Sequence, residues 1–133
     1  MDKYRSKNRH KYLLQFHVIF VCKYRKKLLN TKISEDIKRL SIEIFSKRNS
    51  IIKYMETDKD HIHYMIETDP TIRLSDLVRT VKSYTTFHIW KLHEEFLKKR
   101  FWKERTFWTD GYFISSLGNV SEKTLKNYIE NQG

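Results

Sequence analysis

The sequence predicts an α+β fold: one antiparallel sheet carrying helices on a single face in the ferredoxin-like or RRM-like manner, followed by a C-terminal helix that holds a tyrosine. Three observations predict it. The segments run strand, helix, strand, strand, helix, strand, helix, and one sheet covered on one side by two helices is the economical way to bury their apolar faces. The helical segments repeat apolar residues three and four apart, whereas the strand segments are β-branched and aromatic. The 133 residues include only three Gly and one Pro, which leaves little for linkers and fits one domain spanning residues 1–133.

Residues 1–10 are polar and basic and read as a loose arm. Residues 11–22, from Lys11 through Phe16, Val18, Ile19 and Phe20 to Cys22, read as a largely buried strand. A basic cluster of Lys23, Arg25, Lys26 and Lys27 follows. Ser34 is a good N-cap with Glu35 and Asp36 in the first turn, and Ile37, Leu40, Ser41, Ile44 and Phe45 share a face, so a helix is expected over 34–48 with Asn49 closing it. Residues 51–57 and 61–68 are strands of a hairpin around the turn Asp58-Lys59-Asp60, and Asp69-Pro70 ends the second. Ser75 caps a second helix over 75–93 with Leu77, Val78, Val81, Tyr84, Thr85, His88 and Leu92 at helical spacing. Residues 94–106 fit either its continuation or a basic connector. Residues 107–109 and 112–116 are short strands around Asp110-Gly111, and Gly118-Asn119 is a turn. Ser121 caps the last helix, with Val120 and Leu125 placed as a hydrophobic staple.

The composition is 39% hydrophobic and 32% charged, as in a folded domain rather than a disordered chain. Against 16 Asp and Glu stand 27 Lys and Arg, a net charge of +11. A surface this basic concentrates phosphates and releases their counterions, so nucleic acid is the leading partner class. Aromatic residues, 14% of the chain, often sit beside cations, as in Lys23-Tyr24-Arg25 and Arg100-Phe101-Trp102-Lys103. That pairing suits unpaired bases, although any single ring is more readily a core residue. Cys22 stands alone, which excludes an intrachain disulfide framework and leaves it a small buried hydrophobe. No signal peptide and no apolar run of membrane-spanning length are seen, so a cytoplasmic protein with no membrane partner is expected.

Two constellations carry chemistry. His61 and His63 are two apart on a strand, so both imidazoles face the same side with Cα atoms about 6.5–7 Å apart, within reach of one divalent ion. Ile62, Tyr64 and Ile66 then face the other side. Spacing alone does not separate such a pair from ordinary polar surface residues. Tyr128 and Gln132 are four apart on the last helix and share a face, flanking the packing stripe of Leu125 and Ile129. A tyrosine so placed is by itself usually a core residue.

Taken in order, these pieces resemble the single-tyrosine HUH transposases of the smallest bacterial and archaeal insertion sequences, the "IS two hundred" group. The resemblance runs through Phe16-His17-Val18-Ile19-Phe20 and Lys23-Tyr24-Arg25, then Asp60-His61-Ile62-His63 and Leu74-Ser75-Asp76-Leu77-Val78. It continues with Trp108-Thr109-Asp110-Gly111-Tyr112-Phe113 and ends with Tyr128-Ile129-Glu130-Asn131-Gln132. It implies a metal-dependent enzyme that cuts and rejoins single-stranded DNA at element ends. His61, His63 and Gln132 would be the ligands of Mg²⁺ or Mn²⁺, and Tyr128 the nucleophile that forms a 5′-phosphotyrosine link and frees a 3′-hydroxyl. It further implies a homodimer with merged sheets, in which the tyrosine helix can complete the partner subunit's site, and recognition of DNA hairpins. Arg73, Arg79 and Lys82, at the start of the second helix, are the candidate hairpin contacts. Relatives commonly extend beyond the position of Gly133, which makes Gln132 a less firmly anchored ligand than the two histidines; Glu130 or a water is the substitute. His10, His17, His88 and His93 have no partner at ligand spacing.

Two other readings compete. A non-catalytic RRM-like nucleic-acid binder would use the basic surface and aromatics, but no run places exposed aromatics on adjacent central strands. A replication-initiator or relaxase type of HUH nuclease would share the histidines, but those are usually parts of larger proteins.

Overall fold

The computed structural model describes residues 5–7, 10–12, 14–116 and 122–132. Strands β1 (Arg5–Lys7) and β2 (His10–Tyr12) form a small antiparallel pair, so part of the segment expected to be a loose arm folds back on itself. The single strand expected over 11–22 is divided: β2 takes its start and β3 (Gln15–Val21) the rest.

Helix α1 (Thr31–Lys47) starts earlier than expected. Asn30, in extended backbone, accepts a hydrogen bond from the Ile33 backbone N–H at 2.9 Å and is the cap. Ser34 lies inside the first turn, where its hydroxyl donates to the Leu29 carbonyl. Ile37, Leu40, Ser41, Ile44 and Phe45 are all buried, as their spacing predicts. Asn49 ends the helix in the left-handed region at φ 56°, a conformation that Asn tolerates better than most residues.

Strands β4 (Ser50–Thr57) and β5 (His61–Thr68) form the expected hairpin. Their register shifts between Ile52 and Tyr54, which leaves Lys53 as a bulge. Helix α2 (Leu74–Leu92) has Arg73, not Ser75, at its cap position, and no side chain caps it. Its buried stripe is Leu77, Val78, Val81, Thr85, Ile89 and Trp90. Leu92 is exposed, so in its last turns the helix turns Ile89 and Trp90 inward rather than His88 and Leu92. The helix breaks at His93, whose imidazole meets Asp36 at 2.6 Å and ties this corner to α1. The ambiguous stretch 94–106 becomes a short helix α3 (Glu94–Lys98) and then a connector.

The last strand, β6, is only Phe113–Ser116; Phe107-Trp108-Thr109, expected as a strand, contributes one bridge between Trp108 and Cys22. Helix α4 (Glu122–Glu130) carries Tyr128. The expected Ser121 cap and the Val120–Leu125 staple lie outside the described residues.

The main sheet has the order β4-β5-β3-β6, every neighbour antiparallel. Alternation along β3 and β5 divides the residues between two faces. Val18, Phe20, Ile62, Tyr64 and Ile66 are fully buried beneath α1 and α2, and the Tyr64 hydroxyl is bonded to Ser41 of α1 at 2.7 Å. The other face carries His17 and Ile19 of β3 and His61, His63 and Met65 of β5, with Phe113 opposite Ile19 on β6. Cys22 is buried, and burial pushes its thiol far above the usual thiol range, which keeps it protonated and inert. No helix among the described residues is long and apolar enough to cross a membrane.

Candidate active site

The two histidines of β5 share a cavity of about 470 Å³. It is lined by Ile19 of β3, Arg25 and Lys27 of the following turn, Asp58, Lys59 and Asp60 of the hairpin turn, and Lys126, Ile129 and Glu130 of α4. Helix α4 therefore contributes to the side of the sheet that α1 and α2 leave free. The pairing register explains the placement: His61 lies opposite Val21 and His63 opposite Ile19, at the end of the sheet where β3 leaves into its basic turn.

His61 is oriented by its neighbour. Its Nδ1–H donates to Asp60 Oδ1 at 2.8 Å, which leaves Nε2 with its lone pair. Asp60 also accepts from Arg25 Nε at 3.4 Å, and Arg25 Nη1 donates to the Glu130 carbonyl at the end of α4, also at 3.4 Å. Tyr24 and Arg25 are both in the left-handed region, at φ 58° and 53°. Such backbone costs a non-glycine residue about 1–2 kcal/mol, and here it turns Arg25 toward Asp60.

His63 has a different partner. Its Nε2 lies 2.9 Å from Nδ1 of His17 on the adjacent strand, with the rings 5.1 Å apart. Burial, and then the neighbouring His17, hold His63 below the ordinary histidine range; Glu56, opposite it on β4, pulls the other way and His61 adds to the lowering. A neutral imidazole is the form that binds metal. Two imidazoles beside the carboxylates of Asp58, Asp60 and Glu130 make a nitrogen and oxygen donor set that suits a divalent cation. Among the described residues, no three His, Cys, Asp or Glu side chains converge closely enough to hold an ion as they stand.

Tyr128 sits beside this cavity, not in its lining. Its ring packs on Phe113 with centroids 5.4 Å apart, and its hydroxyl lies against Gly111, where an added Cβ would come within 3.9 Å of it. The hydroxyl is buried with no hydrogen-bond partner among the described residues, as is the hydroxyl of Thr109. Burial pushes the phenol above the usual tyrosine value, and the Thr109 hydroxyl, close by but outside bonding geometry, offsets part of this. Gln132 is folded back: its Nε2 donates to the Tyr128 carbonyl at 3.4 Å. The structure thus brings His61 and His63 together, seats Tyr128 against Phe113 and Gly111 on the helix whose Lys126, Ile129 and Glu130 line their cavity, and leaves Gln132 on its own helix.

The three candidate DNA contacts differ. Arg73 and Arg79 are exposed and pair weakly with Asp76, at 3.8 and 3.5 Å. Lys82 is half-buried, and its ammonium donates to the carbonyls of Thr109 and Gly111. Burial holds its pKa below the ordinary lysine value, partly offset by Asp110. It clamps the loop that Tyr128 leans on. Arg79 and Lys82 also line a second cavity of about 710 Å³, with Phe87, Trp90, Arg105 and Trp108.

Three site residues escape a reading of the sequence. Asp60 was visible as a carboxylate next to His61, and Arg25 as part of a basic cluster, but nothing local couples them. His17 has no local signal, because its contact with His63 depends on the register of two strands.

The family described as "Transposase IS200 like" matches residues 10–132, and the chain belongs to that family. The ISDra2 transposase TnpA of Deinococcus radiodurans is 24% identical over 121 residues, 91% of this chain and 85% of the relative. A crystal structure assigned to a transposase of Deinococcus radiodurans R1 superposes with a TM-score of 0.88 at 21% identity, over 96% of this chain and 97% of the other. A REP-associated tyrosine transposase bound to a REP hairpin has a TM-score of 0.59 at 14% identity, over 98% of this chain and 69% of that one.

Proposed function

We propose that this transposase cleaves and rejoins single-stranded DNA at insertion-sequence ends through a 5′-phosphotyrosine intermediate formed on Tyr128. The observation that carries the reading is that His61 and His63 share one cavity with the helix that bears Tyr128. The phenol oxygen attacks the phosphorus of a bound phosphodiester, the bond to the 3′ oxygen breaks, and that oxygen takes up a proton as the phenol gives one up. In the reverse step a 3′-hydroxyl of a second strand displaces Tyr128. The energy of the phosphodiester is retained throughout.

His61 and His63 would hold Mg²⁺ or Mn²⁺, with Gln132 as third protein ligand once its carboxamide leaves the Tyr128 carbonyl. The ion would supply Lewis acidity and a fixed position for the scissile phosphate. Arg25, Lys27, Lys59 and Lys126 surround the same cavity and favour an anionic substrate there. For attack, the Tyr128 hydroxyl must leave its seat against Gly111 and Thr109, by motion of α4 or by engagement with a partner subunit's site. A homodimer suits the sheet, since β6 is an edge strand with no strand beyond it among the described residues. Hairpin DNA, as bound by the REP-associated relative, is the proposed ligand of the basic surface at Arg73 and Arg79 and of the adjoining aromatic cavity.

The test is incubation with a single-stranded, hairpin-bearing end sequence and Mn²⁺. A covalent protein–DNA adduct is expected from the wild type and none from Tyr128→Phe. An adduct that persists in Tyr128→Phe would remove this residue as the nucleophile.

A further inference from the structure

We infer that His17 is a positioning residue for the histidine pair, accepting the Nε2–H of His63 at its own Nδ1 and so leaving Nδ1 of His63 as the metal-binding nitrogen. The inference rests on the reading of His61 and His63 as a metal pair.

The argument begins with the two contacts. His61 is held through Nδ1 by a carboxylate, which can only accept, so its free lone pair is on Nε2. His63 is held through Nε2 by His17 Nδ1 at 2.9 Å. One of these two nitrogens must donate. If His17 donated, His63 would carry its own proton on Nδ1, and neither of its nitrogens would be left to bind a cation. If His63 donates, its Nδ1 keeps a lone pair, and each of the two histidines that line the common cavity keeps one unprotonated nitrogen. Only the second arrangement is compatible with a metal pair.

Register shows why His17 supports the pair instead of joining it. His17 lies opposite Met65, and His61 opposite Val21. Four residues of strand separate His17 from His61 in this ladder, about 13 Å along the strand axis, too far for the two rings to share an ion. His17 reaches only His63, which stands between them. The two ligands are therefore set by supports of different kinds, Asp60 for one and His17 for the other, acting on opposite ring nitrogens. Supports of this type typically change metal affinity by about 10–100-fold when removed.

Two measurements test this. The first is the long-range ¹H–¹⁵N spectrum of the metal-free wild type at mildly alkaline pH, with the imidazoles assigned by His→Gln substitution. His61 is expected to be protonated at Nδ1 and His63 at Nε2; protonation of His63 at Nδ1 would overturn the inference. The second is Mn²⁺ affinity by calorimetry. His17→Phe, which keeps a ring without an acceptor, is expected to weaken binding about tenfold or more, and His17→Gln, which offers an amide oxygen, to recover part of the loss. His17→Phe binding as tightly as wild type would overturn it. Absence of Mn²⁺ binding by the wild type would instead remove the metal pair itself. Should His17→Phe fail to fold, the wild-type spectrum decides alone.

Discussion

The two faces of the central sheet are built from the same strands and obey opposite rules. On the covered face, Val18, Phe20, Ile62, Tyr64 and Ile66 are sealed under two helices, and the polar atom of Tyr64 is answered by Ser41. On the other face, His17, His61 and His63 stand half-buried among Ile19, Met65 and Phe113 and are tied to polar partners on the same strands or the adjoining turns: His17 to His63, His61 to Asp60, Asp60 to Arg25. The covered face contributes stability through area removed from water. The other face, beside the buried Ile19, holds a set of directed lone pairs and charges. The difference teaches that the alternation of a strand can divide folding and chemistry between neighbouring residues, so that each can be altered almost without the other.

Substitutions break or sharpen that contrast. The largest effect is expected from His61→Ala: with His61 in its proposed role as a metal ligand, Mn²⁺-dependent cleavage should fall by at least about two orders of magnitude, beyond the loss expected for a residue that only supports a ligand. Stability should change by less than about 1 kcal/mol, since Asp60 keeps its bond to Arg25. Parallel cleavage and thermal-melting measurements check both. Next comes Ile66→Ala on the covered face, which should cost about 2–5 kcal/mol and lower Tm by roughly 10 °C, with cleavage per folded molecule nearly unchanged. Full loss of activity at temperatures where that variant is folded would dissolve the contrast. The smallest effect is expected from Ile51→Thr. Ile51 is exposed and pairs with Glu67 on the open face, so its change should stay within about 0.5 kcal/mol in a denaturant titration.

Much of this plan was legible in the residues. The order of elements, the hairpin around Asp58-Lys59-Asp60 and the opposite facing of His61 and Ile62 follow from period and turn chemistry, which are local. The errors were local as well. Asn30 outcompeted Ser34 as a cap because it sits in extended backbone just ahead of Thr31, and α2 has no capping side chain at all. Trp108 looked like strand because it is aromatic, yet its burial owes more to packing beside Phe20 and Phe107 than to a ladder. What sequence could not supply is register and approach between distant segments. The meeting of His17 with His63, the reach of Arg25 to both Asp60 and α4, and the diversion of Lys82 to two loop carbonyls each join residues 27 to 105 positions apart or depend on how two strands slide. The pairing of the histidines was therefore readable, and their supports were not.

The bulge at Lys53 has a consequence for how far the sheet can grow. An open sheet has two edges, and if both accept strands, copies can add without end and form fibres. Here β4 is kinked at Lys53, whose side chain is drawn to Glu67 at 3.8 Å. A kinked edge marked by a charge is a poor template for another strand. Of the two edges of the main sheet, β6 alone is left regular, so growth of the sheet at the β4 edge is disfavoured.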